Sequence, residues 1–531
     1  MTKKDVIQLL EKIAIYMELK GENTFKVSAY RKAAQSLEVD ERTLEEIDDV
    51  TELKGIGKGV GEVINEFKTQ GQSSTLQTLQ DEVPEGLVPL LKIQGLGSKK
   101  IAKLYHELQI TDKETLQQAC EEGKVSTLKG FAKKTEQNIL EAVKSIGAKK
   151  DRYPIELMRG LNQEIVKFIE QLEGVEQYST AGSFRRYKEM SKDLDFIIST
   201  SEPKKVQQQL LRIPNKVKDV AVGDTKISLE LAYDDETIGV DFRLIEPAAF
   251  YHTLQHFTGS KDHHFGVDWI APAMREDGSE FDKDLSQIIQ LDDINGDLHM
   301  HTTYSDGAFS IKEMIEANIE KGYEFMVITD HSQSLKVAHG LQVDRLLRQN
   351  EEIKQLNEEY KEIDIYSGTE MDILPDGTLD YDDEVLAQLD YVIAAIHQNF
   401  NQSEDEIMKR LETACRNPYV RHIAHPTGRI IGRRKGYKAN IEKLMNLAEE
   451  TNTILEINAN PHRLDLNAEI VRKYPKVKLT INTDAHHTNH LDFMKYGVAT
   501  AQKGFVNKER VINTMTKEAF RSFVETNKYK K

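Results

Sequence analysis

Apolar residues follow two rhythms along this chain. From Met1-Thr-Lys-Lys-Asp5 onward they fall in the pattern of an amphipathic helix, and residues 1–150 read as helical. From residue 291 the rhythm changes to short apolar runs, most of which end at a residue able to bind metal. Phe325-Met-Val-Ile-Thr-Asp330 ends at His331, Ile363 to Gly368 leads to Glu370, and Tyr391 to Ile396 ends at His397. Val420 to Ala424 leads to His425, Thr453-Ile-Leu-Glu-Ile457 runs into Asn458 and Asn460, and Val477 to Thr483 ends at Asp484 and His486. Helix-patterned stretches separate the runs; one has Ser310 as its N-cap and continues to Lys321, before Gly322. Strands alternating with helices predict parallel strands joined by crossover helices, and in a closed barrel of that kind the strand C-termini share one rim. Counting the strand that carries His299 and His301, there are about seven, one short of the usual eight.

That first strand lies in Gly296-Asp-Leu-His-Met-His-Thr-Thr-Tyr-Ser-Asp-Gly307. Alternate side chains of a strand share a face, so His299 and His301 point the same way, and Asp306 follows on the Ser-Asp-Gly turn. Two imidazoles and a carboxylate at a strand end suit a borderline divalent cation such as zinc or manganese. Taken singly, each candidate has a plainer explanation: a buried histidine satisfies a carbonyl, and a carboxylate at a strand end caps a helix. Nine such residues at repeated strand ends, with eleven of the sixteen histidines from His299 onward, favour a shared site. His339, His422, His462, His487 and His490 fit the pattern less well and are assigned to the surroundings of the site or to the surface. The set His299, His301, Asp306, His331, Glu370, His397, His425, Asp484 and His486 resembles the ligand motifs of the PHP (polymerase and histidinol phosphatase) phosphoesterases, with all nine positions present. The resemblance covers residues 291–531 and implies a distorted (β/α)7 barrel holding up to three ions of Mn2+ or Zn2+.

Composition narrows the class. A chain of 531 residues has room for three or four domains. A net charge of −17 opposes a chain-wide basic surface, so any nucleic-acid contact is local. Cys120 and Cys415 form no paired metal spacing and point to a reducing, cytoplasmic compartment. The N-terminus has no apolar signal core, and no stretch is long and apolar enough to span a bilayer.

Two stretches of the helical region stand out: Leu53-Lys-Gly-Ile-Gly-Lys-Gly-Val-Gly-Glu62 and Ile93-Gln-Gly-Leu-Gly-Ser-Lys-Lys-Ile101. Each is a Gly-x-Gly turn, Gly55/Gly57 and Gly95/Gly97, opening a helix. Glycine permits close approach of the backbone, and free amides at a helix start bind phosphate oxygen; Lys58, Lys99 and Lys100 add charge. Leu128-Lys-Gly-Phe-Ala-Lys-Lys134 is a weaker third copy, with Ala132 in place of the second glycine. One copy would suit a plain helix–helix turn; the repetition favours binding of a phosphate backbone. A Walker loop is excluded, because no Gly-Lys-Ser/Thr ending follows a strand. The stretches resemble helix-hairpin-helix motifs, which grip DNA without reading its sequence.

Residues 151–290 hold a second carboxylate set. Gly182-Ser-Phe-Arg-Arg186 precedes Lys192-Asp-Leu-Asp-Phe-Ile-Ile198, in which Asp193 and Asp195 share one face of a strand. Asp241, in Gly239-Val-Asp-Phe-Arg-Leu-Ile245, offers a third carboxylate from another strand. Three carboxylates suit Mg2+ or Mn2+, two such ions can clamp an in-line phosphoryl transfer, and Ser183 and Arg186 can hold a triphosphate. The competing explanation is a solvated edge strand with alternating acids. With His256-Phe-Thr-Gly-Ser260, these motifs resemble the family X DNA polymerases of the nucleotidyltransferase superfamily, which makes Gly182, His256, Gly259 and Ser260 nucleotide contacts as well.

The chain as a whole resembles bacterial family X polymerases of the PolX type. That implies a helical domain (1–80) and a fingers-like domain (81–150) with helix-hairpin-helix motifs, a nucleotidyltransferase palm (151–290) and the PHP barrel (291–531). It also implies a gap-filling polymerase fused to a manganese-dependent 3′–5′ exonuclease of base excision repair, a monomer acting on gapped duplexes or 3′ ends with dNTPs. The departures are specific. Tyr187 and Lys192 stand where the family has glycine, His256 replaces a tyrosine, and Val63 takes the place of the Schiff-base lysine. Only 36 residues separate Ser260 from Asp297, too few for a full thumb at about 11 residues per helix. Three readings follow: a repair nuclease with polymerase activity weakened or lost, a dual polymerase and exonuclease, or a non-catalytic DNA-end scaffold.

Overall fold

The computed structural model describes residues 3–39, 44, 47, 49–53, 55–93, 96–145, 150–260, 272–275 and 285–526. The chain forms two compact units, Met1–Lys149 and Lys150–Lys531.

The described residues of the first unit are helical, with helices at Lys3–Lys20, Thr24–Val39, Lys58–Gln70, Ser74–Glu82, Ser98–Leu108, Lys113–Glu121 and Lys133–Ser145. Val6, Leu10, Ile13 and Met17 recur at three and four residues along the first helix, and they are buried against Leu37, Ile64 and Ile101. Asp112 and Thr115 form a reciprocal capping box that fixes the start of Lys113–Glu121. Three times the chain makes one turn into a helix: the amides of Ile56, Leu96 and Phe131 each bond the carbonyl three residues back at 3.0 Å, on Leu53, Ile93 and Leu128. The copy with Ala132 shares this bond with the glycine-bearing copies.

The second unit begins with β1 (Tyr153–Pro154), β2 (Gln177–Ala181), β3 (Met190–Ser191), β4 (Asp193–Ser199), β5 (Lys216–Val222), β6 (Lys226–Tyr233) and β7 (Glu236–Ile245). Five of these form one sheet in the order β2-β4-β7-β6-β5, with β4 and β7 parallel. β4 is thus an interior strand, which removes the edge-strand explanation for its alternating acids. Leu194, Phe196 and Ile198 point to one face and pack with Val240 and Phe242 against Met158, Leu161 and Ile165 of the helix Ile155–Ile169. The carboxylates occupy the other face.

The barrel follows: β8 (Gly296–Asp297), β9 (Phe325–Ile328), β10 (Asp364–Asp372), β11 (Tyr391–Ala395), β12 (Val420–Ile423), β13 (Ile454–Asn458) and β14 (Leu479–Asn482). All seven are parallel and lie in sequence order, and a parallel bridge between Met300 and Ala485 brings the two ends of the sheet together. Residues of β9, β11, β12, β13 and β14 are buried on both faces, and β9 and β11 are accordingly unbroken apolar runs. Ser310 caps the helix Ile311–Glu320 in a capping box with Glu313. Two boundaries differ from expectation. The regular ladder of β8 stops at Asp297, and His299 and His301 sit in the extended segment beyond it, where the Met300–Ala485 bridge preserves their alternation. β10 runs on to Asp372, so Glu370 lies inside a strand rather than after it.

Sheet and barrel share a core. Ile155 is buried among barrel residues, Glu189 receives two nitrogens of Arg429 at 3.1 and 2.7 Å, and Lys503 donates to the Tyr187 carbonyl at 2.6 Å. Residues 261–271 and 276–284, where a shortened thumb is expected, lie outside the described residues. By Leu285 the chain has joined the barrel: the Ile289 amide bonds Val506 O at 3.1 Å and its side chain is buried in the barrel core.

Candidate metal centre

The barrel brings all nine expected ligands to one rim. Glu370 is the hub. Its two oxygens lie 2.7 Å from His425 Nε2, 3.0 Å from His331 Nδ1, 3.2 Å from His397 Nε2, 3.4 Å from His299 Nε2 and 3.6 Å from His301 Nε2. Asp484 Oδ1 stands 3.1 Å from His301 Nε2 and 3.4 Å from His299 Nε2. Asp306 faces His486 Nε2 at 3.3 Å and His331 Nε2 at 3.6 Å. His425 and Asp484 have φ of +29° and +54°, a left-handed backbone that non-glycine residues rarely adopt and that clusters at functional sites.

The donor set fits divalent cations. Nε2 of His299 and Nδ1 of His301, His331 and His425 are buried without an aligned hydrogen-bond partner, an arrangement that costs free energy unless something fills it. Four overlapping groups have their ligand atoms within 4.8 Å: His301/Asp306/His331/His486, His299/His301/Glu370, His331/Glu370/His397 and His299/His422/Glu456. Burial, with His486 and His331 alongside, pushes His301 down to about 3, leaving a neutral imidazole, the ligating form. Burial also opposes charge on His397, but Glu370 and Asp372 outweigh it and hold the ring up to about 10.

Three residues of the site were not singled out in sequence. Glu456 accepts from His299 Nδ1 at 2.7 Å, the His425 amide at 2.7 Å and Asn482 Nδ2 at 3.1 Å, so it orients two ligands at once. Asp372 sits 3.2 Å from His397 Nδ1, and Asp330 accepts from the Thr302 amide at 2.8 Å and the Ser305 amide at 3.2 Å, fixing the loop before Asp306. For Glu456 the available signal was a carboxylate inside a largely apolar strand, since a buried charge is seldom unpaired. His422, set aside as peripheral, is buried with Nε2 at 3.8 Å from Glu456.

The second carboxylate set assembles on the five-stranded sheet. Asp195 and Asp241 are register partners on β4 and β7, with Asp193 two residues before on the same face. Burial, then repulsion by Asp193 and Asp241, lifts Asp195 to about 6. Lys226 Nζ pairs with Asp241 at 2.6 Å. Gly182 has φ +62° and a Cβ there would come within 2.1 Å of Asp195, so only glycine lets this turn close on the carboxylate. Ser183 bonds Ser191, and buried Arg186 donates to the carbonyls of Thr258 and Gly259 at 2.9 and 3.3 Å, joining the two motifs. Ser260 follows, its amide on Arg275 O, while His256 is exposed on the helix Phe250–Thr258. Tyr187, at the position of a family glycine, has φ +56° and its ring meets Tyr496 edge-on at 5.5 Å.

In the first unit, Gly57 and Gly97 are the N-caps of Lys58–Gln70 and Ser98–Leu108, exposed, with open space where a Cβ would stand. Gly55 has φ +109° and Lys99 is exposed; Gly95 lies outside the described residues. Val63 is buried. Among the described residues no helix is long and apolar enough to cross a membrane.

Comparison with known proteins follows the same division. The Helix-hairpin-helix domain family matches residues 1–73, the SAM-like Helix-hairpin-helix tandem matches 87–145 and the PHP domain matches 297–460. The DNA polymerase/3'-5' exonuclease PolX of Bacillus subtilis (strain 168) is 51% identical over 570 residues, covering 99% of this chain and 100% of the relative. A probable phosphatase of Thermoanaerobacter sp. (strain X514) is 29% identical over 231 residues, 41% of this chain and 89% of its own length. A probable phosphatase of Acetivibrio thermocellus is 31% identical over 166 residues, 30% of this chain and 64% of its own.

Proposed function

This chain belongs to the bacterial PolX family, and from that premise we propose that it is a cytoplasmic, monomeric DNA repair enzyme whose main chemistry is Mn2+-dependent 3′–5′ exonucleolytic hydrolysis in the barrel. The observation that supports this is the gathering of nine candidate ligands around Glu370, Asp484 and Asp306, with a buried ring nitrogen of His299, His301, His331 and His425 lacking a hydrogen-bond partner. His301, Asp306, His331 and His486 would hold one ion, and Glu370, His299, His397, His425 and Asp484 would hold others. Imidazole predominance favours Mn2+ or Zn2+ over Ca2+. Bound divalent cations supply Lewis acidity there, polarising a phosphoryl oxygen and lowering the pKa of water. The chain's own part is positional: Glu456 holds the His299 ring, Asp372 holds His397, and Asp330 holds the loop that presents Asp306. The helix starts at Gly57 and Gly97 would carry the DNA backbone, with Gly55, Gly95 and Lys99 beside them.

Polymerase activity is weakened or lost in this reading. Asp193, Asp195 and Asp241 retain the means to bind Mg2+ or Mn2+, and Gly182, Ser183, Arg186, His256, Gly259 and Ser260 a nucleotide. What is short is the closing element. Since residues from Leu285 pack on the barrel, at most residues 261–284 remain for a thumb. In-line transfer tolerates little misplacement, about 1 Å costing on the order of 10²-fold. The relative's printed activities and the intact carboxylates favour the second reading, a full dual enzyme. A 3′-labelled gapped duplex incubated with Mn2+, with and without dNTPs, separates them. We expect shortening in both lanes; net extension with dNTPs would support the dual enzyme, and no shortening would reject the nuclease.

A further inference from the structure

A cleft of about 710 Å³ lies where the sheet meets the barrel, and its lining includes none of the residues assigned to either metal site. Small-molecule sites span about 300–1,000 Å³ and favour junctions of this kind, so the cleft has the size and the place of one.

Three cations line it, Arg159, Arg185 and Lys495, in a chain whose net charge is −17. Arg159 is already balanced: Glu156 holds it at 2.6 Å, and it lies over the Phe493 ring at 5.2 Å. Arg185 gives one nitrogen to Ser179 at 2.9 Å, and its buried Nε has no hydrogen-bond partner among the described residues. Burial pulls its pKa down, and no described carboxylate opposes that. Lys495 stands exposed on the barrel side, and Asp492, the one carboxylate of the lining, pairs with Lys321. Two cations, one from the sheet and one from the barrel, thus line the cleft without an acid of their own, and an anion placed there would gain from both.

The rest of the lining suits more than a bare anion. Tyr187 of the sheet meets Tyr496 of the barrel edge-on at 5.5 Å, and His490 stacks on Phe493 at 4.7 Å, so the apolar wall is held by ring-on-ring contacts. Asn162 takes the Thr180 hydroxyl on its oxygen at 2.8 Å, which leaves its amide nitrogen to donate, and exposed Asn489 offers a second carboxamide. Cations for phosphate, a fixed apolar wall for a heterocycle and carboxamides for its polar edge are together the contacts of a nucleotide.

We propose that this cleft is an accessory site for a free nucleotide, its phosphates between Arg185 and Lys495 and its base against the aromatic wall. The site is separate from both metal sites, and the inference holds whichever of them carries the chemistry. Because one wall is sheet and the other barrel, a bound nucleotide ties the two together.

Calorimetric titration of the full chain with ADP in EDTA tests this, since EDTA removes the ions through which a metal site would hold phosphate. We expect ADP to bind, and the thermal unfolding midpoint of the second unit to rise with ADP concentration. In R185A/K495A the Kd should rise at least about tenfold, and in D241A it should equal that of wild type. K495A alone, at an exposed position, should raise it several-fold, so the test stands even if the double variant fails to fold. Adenosine and pyrophosphate, each using half of the lining, should bind at least about tenfold more weakly than ADP. Absence of ADP binding, a wild-type Kd in K495A, pyrophosphate bound as tightly as ADP, or loss of binding in D241A would each overturn the accessory site. A twelve-nucleotide oligothymidylate that displaces ADP more readily than unlabelled ADP does would assign the cleft to a strand and overturn it too.

Discussion

The two carboxylate sites of the second unit differ in how completely the fold builds them. In the barrel, nine candidate ligands converge from the strands and the segments that follow them, and behind them Glu456, Asp372 and Asp330 fix rings and loop with hydrogen bonds of 2.7–3.2 Å. On the sheet, three carboxylates line one face, half-exposed, and a lysine occupies one of them. In the proposed reading the first site needs only ions, whereas the second also needs a closing element, for which at most residues 261–284 are available. In that reading, activity depends as much on the residues that hold the reactive groups as on the reactive groups themselves.

The largest expected effect follows from the barrel side of this comparison. Replacing His299 and His301 together by alanine should reduce DNA digestion to background while nucleotide insertion, at whatever level it occurs, is unchanged; digestion at the wild-type rate would show the cluster is not the nuclease. Next, Ile155 joins sheet and barrel in one core, so Ile155→Ala should cost about 2–5 kcal/mol and lower the urea midpoint of the second unit as a whole. Separate shifts of sheet and barrel signals would mean that the two are energetically independent. Glu456→Gln tests the supporting residues: Mn2+ affinity, read by chelator competition, should fall by about 10–100-fold, and an unchanged affinity would reduce Glu456 to packing. The smallest effect is outside this unit. Gly57 and Gly97 have negative φ and room for a side chain, so the pair of changes to valine should leave the helices folded and weaken gapped-duplex binding several-fold. Equal anisotropy titrations for variant and wild type would remove these turns from the DNA contact.

Much of this was legible in sequence, for identifiable reasons. Apolar runs ending in His or Asp mark strand ends, and a parallel barrel turns strand ends into a rim; that logic gave the seven strands and the nine candidates that now lie together there. Ser310 with Glu313 fixed a helix start through purely local chemistry. What escaped were residues whose role depends on a neighbour distant in sequence. Glu456 lies 157 positions from His299, so nothing local tells its carboxylate from a cap. His422, assigned to the surroundings of the site or to the surface, lies in the surroundings, behind Glu456. Arg186 reads as a phosphate ligand from its motif, and here it bonds the Thr258 and Gly259 carbonyls, a tie that no spacing rule announces.

The central claim is that hydrolysis in the barrel outweighs synthesis on the sheet. Single-turnover extension of a one-nucleotide gap by a His299→Ala variant tests it most directly, because competing digestion is removed while Asp193, Asp195 and Asp241 are untouched. The account predicts insertion far slower than the wild-type protein's digestion of the same 3′ end. Rapid, template-directed insertion that disappears on Asp241→Ala would contradict it and establish both sites as working centres.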